Sequence, residues 1–146
     1  MAPLTARWHR SIREIPQQQW EQILAEQVSP FYRWNWLAAL EDSGSIAPDQ
    51  GWQPLHLSLW RDDDQLIAVA PLYLKGHSYG EFVFDQSFAR LAGDLDLRYY
   101  PKLIGMSPVS PVQGYRFHLH PDEDAQDLTL TMLRLIDDFA VRNNIL

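Results

Sequence analysis

Hydrophobic and polar positions along the first 54 residues predict a strand followed by two helices. Apolar residues alternate imperfectly over residues 5–14, which favours a first strand. Pro16 then suits the first position of a helix, because its missing N–H has no helical partner there in any case. A second helix is predicted from residue 31, with Gly44 placed to stop it. Residues 44–54 are predicted to form a loop.

The middle of the chain predicts a hairpin. Residues 55–60 alternate between leucines and other residues, which is typical of a half-buried strand. Residues 66–74 are apolar on both faces, so we expect a central strand paired with its predecessor across an acidic turn. Pro71 interrupts this run and indicates a bulge or a place where the ladder opens.

The C-terminal half predicts two more helices and two more extended segments, with an irregular loop at 107–114. The predicted elements are a short helix at 86–95, an extended segment at 98–105, a strand at 115–120 and a helix opened by Pro121 and three acids. Residues 143–146 look like a turn into a further strand. We therefore expect the chain to be incomplete, or to borrow a strand from elsewhere.

Composition narrows the class of protein. The 146 residues suffice for one domain, and 46% hydrophobic residues favour a packed core. A formal charge of −7 argues against general nucleic-acid binding, and the lack of cysteine excludes disulfides, thiolate metal sites and a cysteine nucleophile. The longest apolar run is about half of the roughly 20 residues that a membrane helix needs. No secretory signal begins the sequence, so we expect a cytoplasmic protein that does not enter the membrane.

A dense polar cluster follows the predicted central strand and is the first candidate site. It is punctuated by Gly76 and Gly80, which permit unusual backbone angles and close approach of a ligand. The cluster contains a positive charge, proton donors and proton acceptors, in the residues Lys75, His77, Ser78, Tyr79 and Glu81.

These residue types fit a site for acid–base chemistry. Glu81 or His77 could act as a general base. Lys75 could hold a carboxylate or phosphate of the substrate, and Tyr79 or Ser78 could stabilise the developing oxyanion or protonate the leaving group. The alternative is a polar turn in which Glu81 pairs with Lys75 and His77 caps a backbone carbonyl.

A second group of candidates lies further along the chain. Tyr99, Tyr100 and Lys102 could line a cleft for a sugar or peptide, because tyrosine offers a flat apolar face and a hydroxyl. Alternatively, one of the two adjacent tyrosines points into the core. His118 and His120 precede two acids, but two histidines with mobile carboxylates are a weak signal, and we predict no metal site.

Several segments carry a resemblance to a known family. They are S-P-F at 29–31, A-A-L-E-D-S-G-S at 38–45, G-W-Q-P-L-H-L at 51–57, A-P-L-Y-L-K-G-H-S-Y-G-E-F-V-F-D at 70–85, R-Y-Y-P-K-L at 98–103 and S-P-V-S-P-V-Q-G at 107–114. With these segments in order, the chain resembles the N-terminal part of the FemAB-like bacterial family of peptidoglycan biosynthesis/recognition proteins. That family is placed in the GNAT-type acyltransferase superfamily.

The resemblance implies a mixed α/β sheet with the GNAT-like acyl-CoA N-acyltransferase fold. Residues 1–146 would be a single domain, the N-terminal portion of a longer two-domain architecture. The implied function is acyl or aminoacyl transfer to an amine of a cell-wall precursor or similar small acceptor, with an acyl-CoA or aminoacyl-tRNA donor for the full-length family. The alternatives are a non-catalytic domain that binds a muropeptide or a protein, and a remnant that forms a homodimer through an open sheet edge.

The sequence departs from the wider superfamily at the coenzyme A signature. Acetyl-CoA-binding members hold the pyrophosphate with Gln/Arg-x-x-Gly-x-Gly/Ala at a helix N-terminus. The near match begins at Arg90 and reaches Gly93, but Leu95 occupies the final small position. We therefore predict no coenzyme A site, and no other cofactor, in this chain.

Overall fold

Seven strands and four α-helices make up the part of the chain that the computed structural model describes, residues 3–79 and 84–146. In chain order they are β1 (Leu4–His9), α1 (Gln17–Ile23), α2 (Trp34–Asp42), β2 (Trp52–Pro54), β3 (His56–Arg61), β4 (Gln65–Ala70), β5 (Tyr73–Lys75), α3 (Gln86–Asp94), β6 (Lys102–Ile104), β7 (His118–Leu119) and α4 (Ala125–Asn143).

The strands form two antiparallel sheets. The larger sheet has the order β1-β3-β4-β7 and the smaller sheet has the order β2-β5-β6. This arrangement confirms the mixed α/β class predicted from the sequence. None of the helices within the described ranges combines the length and the apolar character that crossing a membrane requires.

Pro71 marks the point where the chain passes from one sheet to the other. The single central strand predicted for 66–74 is in fact two strands, because β4 ends at Ala70 and β5 begins at Tyr73. Proline cannot donate to the ladder, and the ladder opens there as predicted. The Leu55 N–H donates to the Leu72 carbonyl at 2.9 Å and bridges the gap. Residues 44–54, predicted to be a loop, contain the short strand β2.

The prediction that β3 is half-buried is wrong, because helices cover both faces of the larger sheet. His56, Ser58 and Trp60, the positions expected to face solvent, are all buried. One face packs against α1 and α2 and the other against α4. A bulge in β4 turns Leu66 and Val69 toward the same face although they are three residues apart.

The last helix begins slightly later than predicted and leads into a strand-like pairing. Asp124 caps its start by accepting a hydrogen bond from the Asp127 N–H at 2.8 Å. After the helix, the Leu146 N–H donates to the Pro101 carbonyl at 3.2 Å, and the Leu103 N–H donates to the Leu146 carbonyl at 2.7 Å. These two bonds are the pattern of a parallel bridge beside β6, in agreement with the predicted turn into a further strand. The strand predicted at 115–120 shortens to the two residues of β7.

Candidate functional site

Antiparallel pairing between β5 and β6 brings two polar segments together at one end of the smaller sheet. Lys75 lies opposite Lys102 in the register, so the chain leaving β5 runs beside the chain entering β6. Ser78 comes from the first segment and Tyr100 from the second. Asp85, the residue before α3, completes the group and is only 6% exposed.

Asp85 is the centre of a hydrogen-bonded cluster, here called the Asp85 cluster, with Ser78, Tyr99, Tyr100 and Lys102. Its Oδ2 accepts from the Ser78 hydroxyl at 3.3 Å, from the Tyr99 hydroxyl at 3.3 Å and from the Lys102 ammonium. The Tyr100 hydroxyl lies 2.9 Å from Ser78 Oγ and 3.4 Å from each oxygen of Asp85. Among the described residues, Oδ1 therefore has only this long contact, while Oδ2 is crowded with donors.

The cluster keeps both of its charges. Burial raises the pKa of Asp85, but the hydrogen bond and charge of Lys102 outweigh burial and bring that pKa below its ordinary value. Burial lowers the pKa of Lys102, but the bonds to Asp85 and Tyr99 raise it above its ordinary value. The Lys102 ammonium also lies 4.3 Å from the centre of the Tyr99 ring, a cation–π distance. Asp85 is thus a fixed carboxylate, suited to hold a cation rather than to exchange protons.

A cleft of about 290 Å³ opens beside the cluster, near the lower end of the range for small-molecule sites. Tyr79 stands at its rim with 80% of its surface exposed. The lining combines three members of the Asp85 cluster with one face of α3, in the residues Ser78, Tyr79, Asp85, Gln86, Ala89, Arg90 and Tyr100.

His77 is not among the residues that line the cleft. Its ring stacks on Tyr79 with 4.9 Å between centroids, and its Nδ1 accepts the Tyr79 N–H at 3.3 Å. A Cβ at Gly51 would come within 2.8 Å of the ring, so the glycine makes room for it. Because Nδ1 is an acceptor, the neutral ring carries its proton on Nε2 and presents a donor there.

Another predicted residue, Lys75, stands apart from the cleft. Lys75 is 1% exposed, and its ammonium lies 3.8 Å from the centre of the Trp52 ring. Burial above that ring keeps it out of the cleft lining, so the structure does not bring Lys75 to the Asp85 cluster. Glu81, the other predicted general base, lies outside the described residues.

Sequence reasoning therefore named many of the residues in this region but missed its centre. The cleft lining includes Ser78, Tyr79 and Tyr100. Outside the lining, Tyr99 and Lys102 donate hydrogen bonds to Asp85. The missed residues are Asp85, Gln86, Ala89 and Arg90. The available signal was an acid directly before a predicted helix, a position where carboxylates commonly meet backbone or side-chain donors.

His118 and His120, the histidines considered above as metal ligands, have different surroundings. His118 is buried beside the Tyr32 and Trp20 rings, and Asp124 caps α4. His120 Nδ1 lies 3.9 Å from Asp122 Oδ2, at the surface. Within the described ranges, no group of three or more histidine, aspartate and glutamate side chains converges on a point where a metal could bind.

The segment that comes nearest to a coenzyme A signature lies inside α3. Arg90 to Gly93 belong to the helix that runs from Gln86 to Asp94. Backbone N–H groups in the body of a helix donate to carbonyls of the preceding turn and are not free to hold a pyrophosphate. This segment is therefore not a phosphate-binding loop.

Comparison with known proteins adds the family. The model of the FemAB-like family, described as peptidoglycan biosynthesis/recognition, matches residues 11–146 and so includes the whole Asp85 cluster. No curated protein and no solved structure matches the chain. Because the family match covers all but the first ten residues, the chain belongs to the FemAB-like family, whose role is in peptidoglycan biosynthesis or recognition.

Proposed function

We propose that the chain is an acyltransferase-related protein whose Asp85 cleft binds an amine of a cell-wall precursor. One observation carries this proposal: Asp85 is an ionised carboxylate in the cleft lining, and its Oδ1 retains capacity to accept a hydrogen bond. An ammonium donates up to three hydrogen bonds and is favoured beside a desolvated carboxylate. Membership in a peptidoglycan family supports a muropeptide as the molecule that carries this amine.

Acyl transfer at this site would join the acceptor nitrogen to the carbonyl carbon of the donor. The acceptor ammonium first loses a proton to a base, and the amine attacks the carbonyl carbon. The C–S or C–O bond to the leaving group then breaks, and the second proton that the nitrogen loses goes to the leaving thiolate or alkoxide. In this proposal the Tyr79 hydroxyl, at the rim of the cleft, donates a hydrogen bond to the developing oxyanion. Glu81 is our proposed base, because Asp85 stays ionised beside Lys102 and His77 presents an N–H.

The donor in this proposal is an acyl-CoA or an aminoacyl-tRNA, held by a part of the protein other than Arg90 to Gly93. The GNAT-like fold, the longer two-domain architecture and the cytoplasmic setting belong to the same proposal. The two antiparallel sheets flanked by helices and the family match over residues 11–146 support it.

Calorimetric titration with a muropeptide that bears a free side-chain amine tests the acceptor site. We expect Asp85→Asn to weaken binding at least about tenfold, because a charge-assisted bond contributes roughly 1.5–3 kcal/mol. Asp138→Asn, which removes an exposed carboxylate from α4, is the matched control and should bind as the wild type does. Equal affinities for wild type and Asp85→Asn would contradict the acceptor site.

Mass spectrometry of the muropeptide, incubated with acetyl-CoA or an aminoacyl-tRNA, tests the reaction. An acylated product that disappears in Glu81→Gln, while muropeptide affinity is retained, is the expected result. A second function, non-catalytic recognition of the muropeptide, is favoured by the Asp85–Lys102 pair, which holds a cation but does not exchange protons. Binding with no product from either donor would support that second function.

We also propose a homodimer through the open edge of the larger sheet. β1 is an edge strand of that sheet, and at six residues it is longer than β7 at the other edge. Unpaired backbone groups on such an edge can pair with a second copy. Light scattering should then give twice the monomer mass of 17.0 kDa, and Ala6→Lys, which adds a charge to the edge, should restore the monomer. A monomeric wild type would refute this assembly.

A further inference from the structure

The Asp85 cleft is also lined by a residue of the opposite charge, Arg90. Gln86, Ala89 and Arg90 share one face of α3 and line the cleft, since residues three and four apart are neighbours on a helix. Ala89 between the two longer side chains leaves space above the helix. Arg90 thus stands at the margin of the same cleft whose interior holds Asp85.

Arg90 is not committed to another carboxylate in the described structure. Arg90 is one of six arginines that form no salt bridge with a described acid, and it is the one that lines this cleft. No described acidic side chain lies within salt-bridge distance of Arg90, and the residue is exposed. Its guanidinium is therefore available to bind a planar anion with two parallel hydrogen bonds.

The geometry points to Arg90 as the carboxylate-binding residue of a cleft that takes a ligand with both an ammonium and a carboxylate group. This inference rests on the proposed function, in which Asp85 binds the ammonium, and adds the chemical class of the acceptor. The ligand is then a zwitterion, such as a lysyl residue with a free carboxylate or a short peptide, rather than a neutral sugar or a simple amine.

Asp85 lies directly before α3 and Arg90 lies within it, so the two side chains line the cleft from different turns of the chain. A ligand that contacts both must carry its ammonium and its carboxylate on separate groups that span this separation.

The charge of the cleft also limits the kind of anion. Among the described residues that line the cleft, Arg90 is the only cationic side chain, so the cleft offers an anion a single positive charge. A phosphate or a nucleotide tail usually requires several cations or a set of backbone N–H groups. A single carboxylate matches what the described residues provide.

Titration of the full chain with two matched probes tests the inference, with binding measured by NMR or calorimetry. The probes are Nα-acetyl-L-lysine and its carboxamide, which differ only in the carboxylate. We expect the wild type to bind the acid about tenfold more tightly than the amide, the size of a charge-assisted hydrogen bond. Arg90→Gln should bind the two probes equally, at the affinity of the amide. Arg90→Lys should retain part of the preference.

Controls separate the inference from the function on which it rests. Arg142→Gln removes an exposed arginine from α4 and should keep the full preference for the acid. Asp85→Asn should weaken both probes by the same factor. Equal binding of acid and amide by the wild type, or a preference that survives in Arg90→Gln, overturns the carboxylate site alone. Failure of the wild type to bind either probe overturns the amine site as well.

Discussion

At the scale of single residues, the Asp85–Lys102 pair determines what the cleft can do. The Asp85 side chain is 8% exposed and that of Lys102 is 19% exposed, so water screens their attraction only weakly. Three hydroxyl groups share the carboxylate and reduce the cost of burying it. The pair therefore holds a negative charge in the wall of the cleft and prevents it from being neutralised by protonation.

Replacing Lys102 with methionine tests this view of the pair. Lys102→Met leaves a buried carboxylate without its cation, and we expect the free energy of unfolding to fall by about 3 kcal/mol. Urea denaturation measures it. The double variant Lys102→Met with Asp85→Asn should recover much of the loss, because no unpaired charge remains. Arg142→Met, at an exposed position, should change stability by less than about 0.5 kcal/mol. A loss that small in Lys102→Met would show that the pair is screened by water.

Residue chemistry made Ser78, Tyr99 and Tyr100 predictable as candidates, but not their common partner. Hydroxyls and a lysine near glycines point to a site whatever the fold. The role of Asp85 depends on the register of β5 with β6, which places residues some 20 positions apart in the chain side by side. Sequence spacing contains no direct record of that pairing.

At the scale of secondary structure, the two C-terminal helices show what periodicity can and cannot predict. Both have apolar residues at helical spacing, and both were predicted near their observed positions. In α4 the first part of the stripe, Leu128 and Met132, is buried against the larger sheet, and the later residues of the stripe are partly buried. In α3 the corresponding residues stay exposed, including Phe88 at 65% and Leu91 at 54%. Periodicity indicates a face, and the neighbouring elements decide whether it is buried.

The two helices should respond differently to loss of an apolar side chain. Met132→Ala removes a fully buried side chain and should lower the free energy of unfolding by about 2–5 kcal/mol, because a cavity remains. Leu91→Ala in α3 is the matched surface change and should cost less than about 0.5 kcal/mol. Thermal or urea unfolding of both variants compares them. A large loss in Leu91→Ala would indicate that α3 is packed against another surface in solution.

The larger sheet gives the opposite lesson, since an alternating pattern there did not mean an exposed face. Non-leucine residues of β3 were expected to face water, yet His56 and Ser58 are fully buried. Ser58 is bonded to His9 Nε2 at 2.7 Å and to the Trp60 indole N–H at 2.7 Å, so its polarity is satisfied inside the core. A polar residue in a strand can face a helix when hydrogen-bond partners are provided.

At the scale of the whole molecule, buried histidines make the fold sensitive to acid. Burial lowers the pKa of His56 to about 3 and the pKa of His118 to about 4. His56 Nδ1 accepts the Leu72 N–H at 3.2 Å, a contact that requires the unprotonated nitrogen. Burial also lowers the pKa of His9, despite the nearby Glu14. Each ring is thus neutral in the folded state and charged more readily in the unfolded chain.

Stability should therefore fall as the pH is lowered from about 6.5, the ordinary pKa of histidine. Below this value the unfolded chain binds more protons than the folded one, so the free energy of unfolding decreases until the folded pKa is reached. For His118 the loss is about 3 kcal/mol between pH 6.5 and 4, at about 1.4 kcal/mol per pKa unit. Asp85, with its lowered pKa, adds a loss only below about pH 4.

Urea unfolding of the wild type and of His118→Phe at a series of pH values measures this dependence. The phenylalanine ring fills a similar space beside Tyr32 and Trp20 but does not titrate, so the variant should lose less stability between pH 6.5 and 4 than the wild type. His120→Phe, at a position nearer the surface, should keep the wild-type dependence. If His118→Phe and the wild type lose stability in parallel, protons enter the His118 site without unfolding the chain, and acid sensitivity must arise at the other buried histidines.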